Sequence, residues 1–277
     1  TGSTSPSACG DADAGYYVSS TGQSTQTACA VGTYTPITGQ TDCNDADAGY
    51  YVPLSGQSSQ IACSKGTFQS DMGEQYCDDA DAGNYVSSTA QTSQTACSAG
   101  SYQAYSGQTS CDAADAGSYV PSTAQTSQTA CTIGTFSSSK GSVSCTDAPA
   151  GYYVSFTGQS SATACSPGSY QADSGQTSCD AADIGSYVSA VGQLTQTACP
   201  TGQSTLTTGS DSSTQCISDF DNDSIVDLLD SDDDNDGVSD LTDQCLTADF
   251  NLTSDNDNDG CDDSDEDTDD DNDGVLD

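Results

Sequence analysis

Two kinds of side chain in this sequence sit at spacings that could do chemistry: carboxylates two residues apart, and cysteines fourteen or twenty apart. Between residues 219 and 277 four loops open on the run D-x-D-x-D. In a tight loop, alternate carboxylates converge on one hard cation, and a ligand set made only of oxygens selects calcium over zinc or copper. Loop one is Asp219, Asp221, Asp223, Asp227 and Asp230, with Ser224 where the other loops carry a turn glycine. Loop two is Asp232, Asp234, Asp236, Asp240 and Asp243; loop three is Asp255, Asp257, Asp259, Asp263 and Glu266. Loop four is Asp269, Asp271, Asp273 and Asp277, and its missing last ligand suggests that the segment continues downstream. Gly237, Gly260 and Gly274 share one loop position, which argues against a merely solvated acidic tail. The segment holds 24 Asp and one Glu with no Lys or Arg, so without a cation its self-repulsion is expected to keep it unfolded.

The cysteines form a second pattern. Twelve of them, Cys9, Cys29, Cys43, Cys63, Cys77, Cys97, Cys111, Cys131, Cys145, Cys165, Cys179 and Cys199, alternate between gaps of twenty and fourteen. Glycine reveals a unit half as long as the resulting period of 34: Gly15, Gly32, Gly49 and so on to Gly202 recur every seventeen residues. An aromatic follows two positions later in every unit but the last, where Ser204 stands, and a second small residue follows seven positions after the first glycine. These small residues read as tight turns. A helical repeat is excluded because Gly, Ser and Thr fill the unit and no apolar stripe of helical period appears.

In alternate units the first and last residues are Cys. In the others they are Ala, as at Ala12 and Ala46, and mostly Gln, as at Gln26 and Gln60, so both members of a pair are lost together. That pattern favours bridges inside a unit: Cys29 to Cys43, Cys63 to Cys77, Cys97 to Cys111, Cys131 to Cys145, Cys165 to Cys179, and Cys199 to Cys216 across a three-residue insertion. A rival scheme pairs across units, Cys9 to Cys29 and Cys43 to Cys63, and the alternation alone admits both. In the first scheme the partner of Cys9 lies upstream of Thr1 or in a neighbouring chain.

The remaining inventory narrows the function classes. The chain has no His, Trp or Arg, and its only cations are Lys65 and Lys140, so general acid/base and nucleophilic catalysis have few groups to work with and an enzyme is not expected. A formal charge of −40 disfavours nucleic acid and anionic membrane surfaces as partners. No apolar run reaches the length of a membrane-spanning helix, and no leader peptide is visible. Regular cysteines at this density belong to an oxidising compartment, where cross-links replace a large core, and secretion is inferred from that usage alone. The expected organisation is a partial repeat at 1–8, twelve seventeen-residue units over 9–218, and the Asp-rich segment over 219–277.

Energetics favour a cooperative stack. Burying one aromatic contributes about 1.5 to 3 kcal/mol and closing a fifteen-residue loop about 3 kcal/mol, against about 1.5 kcal/mol of entropy for each ordered residue. One unit cannot fold alone, so neighbours are expected to share their aromatic and Val faces, with Val18, Val52, Val86, Val120, Val154 and Val188 following the aromatics of the Cys-free units. The DADAG pairs Asp11/Asp13, Asp45/Asp47 and Asp79/Asp81 read more simply as caps of their own turns than as cation sites.

The motif C-x2-G-x-[YF]-x8-C, as in Cys29 to Cys43 (CAVGTYTPITGQTDC) and Cys165 to Cys179 (CSPGSYQADSGQTSC), resembles the cysteine-rich repeats of ephrin receptors and tumour necrosis factor receptors over about residues 9 to 216. The resemblance implies small disulfide-rich repeats, an elongated solenoid-like rod of short β-hairpins, with the first Cys of a unit bonded to the second. The absent pair in every other unit departs from that family. DSDDDNDGVSDLTDQC resembles a thrombospondin type 3 repeat, in which an irregular chain wraps around calcium, and the resemblance implies a local bridge between Cys245 and Cys261; an EF-hand is excluded because no amphipathic helices flank the loops.

Twelve near-identical units favour reach over recognition. The functional expectation is therefore a secreted structural stalk or fibril subunit, stapled by disulfides, stabilised by calcium and self-associating into a filament. The alternative is an adhesin or receptor ectodomain that binds a protein or glycan. Asn251 and Asn222 lie in N-glycosylation sequons, and the Ser/Thr-rich stretches are candidates for O-linked sugar.

Overall fold

A computed structural model describes residues 10–235 and 237–241. Among them are twelve two-stranded antiparallel sheets, one per seventeen-residue unit, and no helix longer than one 3₁₀ turn. No helix of the described residues is long and apolar enough to cross a membrane. The chain divides into two compact units, Thr1–Cys131 with Ser137–Cys145, and Thr132–Phe136 with Thr146–Asp277. The same hairpin builds both.

Eleven of the twelve hairpins pair the two residues after the glycine with the two residues before the next unit, and the twelfth pairs three with three, Gln203–Thr205 with Cys216–Ser218. In the first, β1 (Tyr16–Tyr17) pairs with β2 (Thr27–Ala28), with Tyr16 opposite Ala28 and Tyr17 opposite Thr27. Two-residue strands cannot stand alone in water. What holds them is a backbone ladder between successive hairpins. In the first unit Gly15 N–H donates to Thr35 O at 2.9 Å, Val18 N–H to Gln40 O at 3.0 Å, and Gly39 N–H returns to Ala12 O at 2.8 Å. In the second unit Gly151 N–H donates to Gln171 O at 2.8 Å, Val154 N–H to Gln176 O at 3.0 Å, and Gly175 N–H to Ala148 O at 2.7 Å. These bonds satisfy the irregular backbone that a chain so poor in regular structure would otherwise leave unpaired.

The seventeen-residue glycine has a steric cause beyond its turn. Gly49 has φ +86°, and a Cβ there would lie 2.5 Å from the carbonyl oxygen of Ala90, two hairpins further along. The same overlap would occur at Gly15 against Gly56 and at Gly66 against Gly107. At Gly202, in the last hairpin among the described residues, nothing lies within 4 Å, because no second hairpin follows it there. At the second turn the only demand is a positive φ, so Ala90 and Ala124 occupy it at φ 54° and 58°.

The interior is a narrow seam. The first residue of each unit from Ala12 to Cys165 is buried, alternately Ala and Cys, and Val52, Val86, Val120, Val154 and Val188 are at most 2% exposed. The aromatics contribute less than the sequence suggests: Tyr17, Tyr34, Tyr51 and Phe68 are half-buried. Hydrogen-bonded backbones approach too closely to enclose a ring, so small and β-branched side chains fill the centre and the rings lie along its rim. In Cys-bearing units the Val position is polar and equally buried, as at Thr35, Gln69, Gln103 and Gln171. The glutamines support their own loops: Gln69 Nε2 donates to Tyr76 O at 3.0 Å, and its Oε1 accepts from Asp71 N–H at 3.0 Å.

Candidate functional site

Two clamps close the hairpins, and they alternate. Six disulfides lie each within one unit, Cys29–Cys43, Cys63–Cys77, Cys97–Cys111, Cys131–Cys145, Cys165–Cys179 and Cys199–Cys216, with Cα atoms 5.7 to 5.8 Å apart. Bridges across units are not formed among the described residues. The insertion before Cys216 is taken up by a 3₁₀ turn, Ser213–Gln215, capped by Ser212.

The Cys-free hairpins use a reciprocal hydrogen-bonded pair. Gln26 Oε1 accepts from the Asp13 N–H and Gln26 Nε2 donates to Asp13 Oδ2, both at 2.7 Å. Asp47 with Gln60, Asp81 with Gln94, Asp115 with Gln128 and Asp183 with Gln196 repeat the arrangement. The second Asp of each DADAG pair thus holds the far end of its hairpin, where the sequence alone suggested a cap of its own turn. In the fifth Cys-free unit, Pro149 replaces the Asp and Ala162 the Gln, so both members are again lost together. Asp115 carries a further partner, Lys140 Nζ at 3.4 Å. The Gln128 hydrogen bond, and after it the Lys140 ammonium, hold the Asp115 carboxyl below the ordinary carboxylate range.

Past the last hairpin the Asp-rich loops begin. Asp219, Asp221 and Asp223 each bring one carboxylate oxygen within 4.8 Å of the others. Asp219 is 3% exposed, and its buried Oδ1 has no hydrogen-bond partner. A buried, unpaired carboxylate oxygen among like charges is costly unless a cation compensates it. The other members of loop one shape the turn: Asp227 Oδ1 accepts from Phe220 N–H at 2.9 Å, and Asp230 Oδ1 accepts from Ser231 N–H at 2.7 Å. Ser224, in the glycine position, adopts φ 80°.

Loop two repeats loop one thirteen residues on. Asp240 Oδ1 accepts from Asp233 N–H at 2.9 Å, and Asp240 N–H donates to Ser231 O, as Asp227 N–H donates to Ser218 O. Asp232 Oδ2 accepts from Gly237 N–H at 3.1 Å while its buried Oδ1 is without a partner, and Asp234 is fully buried. Asp236 and Asp243 lie outside the described residues, as do all of loops three and four, Cys9, Cys245, Cys261 and Asn251.

Three contributors were not legible in the spacing. Asp233, between two expected ligands, has a buried Oδ1 without a partner, and desolvation followed by the charges of Asp240, Asp227, Asp230 and Asp221 pushes its carboxyl up. Desolvation likewise raises Asp221. Asn235 Nδ2 donates to Asp221 Oδ2 and ties the two loops together. Asn222, exposed at the surface, engages its side-chain amide with the backbone: Oδ1 accepts from Gly202 N–H at 2.9 Å and Nδ2 donates to Phe220 O at 3.1 Å. Six formed disulfides mark a protein of an oxidising compartment. Compared with known proteins, the chain matches no protein-family model and no curated protein.

Proposed function

We propose that this chain is a secreted structural protein, a stalk or fibril subunit, whose hairpin repeats provide reach and whose Asp-rich segment is stabilised by calcium. The observation that carries the reading is the ladder: hairpin after hairpin donates the same backbone bonds to its successor, through a seam filled by the same small side chains. A repeat of this kind gains length by adding units and devotes no unit to a specialised cavity. It fits the kinship suggested by the C-x2-G-x-[YF]-x8-C motif with ephrin-receptor and tumour necrosis factor receptor repeats, and by loop two with thrombospondin type 3 repeats. Asp219, Asp221 and Asp223 would hold the first calcium, supported by the buried, unpaired Asp219 Oδ1. Bound calcium supplies charge compensation and cross-linking of the loop, with no chemical step.

A second reading, an adhesin or receptor stalk, draws support from the loops between aromatic and second turn. There Ile37, Leu54, Met72, Tyr105, Phe156 and Val191 are all at least 60% exposed and differ from unit to unit. Electron microscopy of the secreted protein, in calcium and after chelation, separates the two. Filaments with a regular subunit repeat that loosen on chelation support the fibril subunit; isolated particles indifferent to calcium sink it and favour the adhesin.

A further inference from the structure

The first Asp-rich loop enters the ladder in register, as though it opened a thirteenth hairpin. In each hairpin the first residue of the following unit donates its N–H to the preceding glycine carbonyl, as Cys29 does to Gly15 O at 2.9 Å and Cys199 to Gly185 O at 2.8 Å. Asp219 N–H makes that bond to Gly202 O at 3.0 Å. Its side chain is buried, as are the Ala and Cys of the equivalent positions from Ala12 to Ala182. Three residues on, where every hairpin has its left-handed glycine, stands Asn222 at φ 61°. Asn and Asp tolerate that region better than other side chains.

After Asn222 the chain departs from the hairpin, and the ladder needs an end. The N–H of each repeat glycine elsewhere donates into the next hairpin, to a backbone carbonyl from Gly15 through Gly168 and to Thr205 Oγ1 from Gly185. For Gly202 no further hairpin follows among the described residues, and Asn222 Oδ1 takes the bond. Asn222 lies between Asp221 and Asp223, both in the carboxylate cluster, and Asp219 belongs to the cluster and the ladder at once.

We propose that loop one is the end cap of the hairpin ladder and that a divalent cation in the Asp219, Asp221 and Asp223 cluster sets its grip on the last hairpin. This rests on the calcium reading above and deepens it by assigning the ion a second effect, on Gly202, outside its own loop. Without the ion, three carboxylates repel one another around a buried, unpaired oxygen, and the turn that aims Asn222 at Gly202 is strained apart. With the ion, the cluster closes and Asn222 is held in place. Asn222 is a positioning residue: its side chain acts through Gly202, not on the ion.

The test is amide exchange at Gly202 in the full chain, read alongside a direct calcium titration. In the unaltered protein, saturating calcium slows Gly202 exchange on the order of tenfold, the worth of one ordinary hydrogen bond. Asn222→Gly keeps the left-handed backbone and removes only the cap, so calcium still titrates while Gly202 exchange becomes insensitive to it. Asp223→Asn keeps the cap and weakens the site, so the Gly202 response moves to correspondingly higher calcium. Calcium binding without any change at Gly202, or a calcium response that survives in Asn222→Gly, overturns the coupling and leaves the calcium site standing. The absence of any calcium isotherm overturns both.

Discussion

The stapled and the clipped hairpins share a backbone, a register and a ladder, yet one set is closed by sulfur and the other by two exposed hydrogen bonds. Cys63 and Cys77 stand where Ala46 and Gln60 stand one unit earlier, and the strands beside them pair in the same way. Even the Ala148 hairpin, with neither clamp, pairs Tyr152 with Ala164 as β1 pairs with β2. The clamp is therefore an increment, and hairpin geometry comes from the neighbours: the glycine that admits a backbone two hairpins away, the ladder bonds and the Ala, Cys and Val seam. Alternation gives each clipped hairpin in the interior of the series a stapled neighbour before and after it, so covalent constraint reaches the whole series with half the cysteines.

Converting a staple into a clip should have the largest effect. Cys63→Ala, Ser64→Asp and Cys77→Gln together recreate the Ala, Asp and Gln of the neighbouring units. The change gives up the closure of a fifteen-residue loop, worth about 3 kcal/mol, and recovers about 1 kcal/mol from an exposed hydrogen-bonded pair. A net loss of about 2 kcal/mol follows, read as a lowered thermal midpoint with an unchanged circular dichroism spectrum at low temperature. If the variant instead loses its hairpin signal throughout, the staple determines the fold and the comparison collapses.

Installing the missing clip is the reverse experiment, with a smaller effect. Pro149→Asp alone gives up a pre-set φ and leaves a lone carboxylate, while Ala162→Gln alone adds a free amide. The two together rebuild the pair of Asp13 and Gln26. A double-mutant cycle should show a favourable coupling of about 0.5 to 1 kcal/mol. A coupling of zero, measured by denaturant titration, would mean that the reciprocal bonds decorate the hairpin without holding it.

Much of this arrangement can be read in the residues alone. The glycine every seventeen residues, the aromatic two places later and the paired gain and loss of Cys mark out the hairpins. The Asp-rich loops stand out as well, and the alternate carboxylates of the first, Asp219, Asp221 and Asp223, do come together. What escapes is whatever depends on distance between units. The interior is lined by Ala, Cys and Val because backbones meet there, and nothing in the spacing shows that Gly49 touches Ala90. The role of Asp13 is hidden for a similar reason: an Asp before a turn glycine reads as a local cap, and its Gln partner thirteen residues on becomes visible only in the hairpin register. Asn222 presents itself as a sequon, and its part in ending the ladder follows only from where Gly202 points.

The finest distinction lies among the clips themselves, because that of Asp115 also faces a lysine. With its folded value held below the ordinary 3.8, the Asp115 carboxylate contributes stability that is present above the unfolded value and lost as pH falls through the folded one. The relevant window is strongly acidic, well below physiological pH. Carboxyl NMR of Asp115 across that window should show a midpoint under 3.8. Gln128→Ala should raise it more than Lys140→Ala does, because the amide donates in the closed geometry of the hairpin while the exposed ammonium, 74% open to water, is screened. The opposite order would mean that surface charge, and not the hairpin clip, sets the ionisation of this carboxylate, and that the clip is weaker than its two short bonds imply.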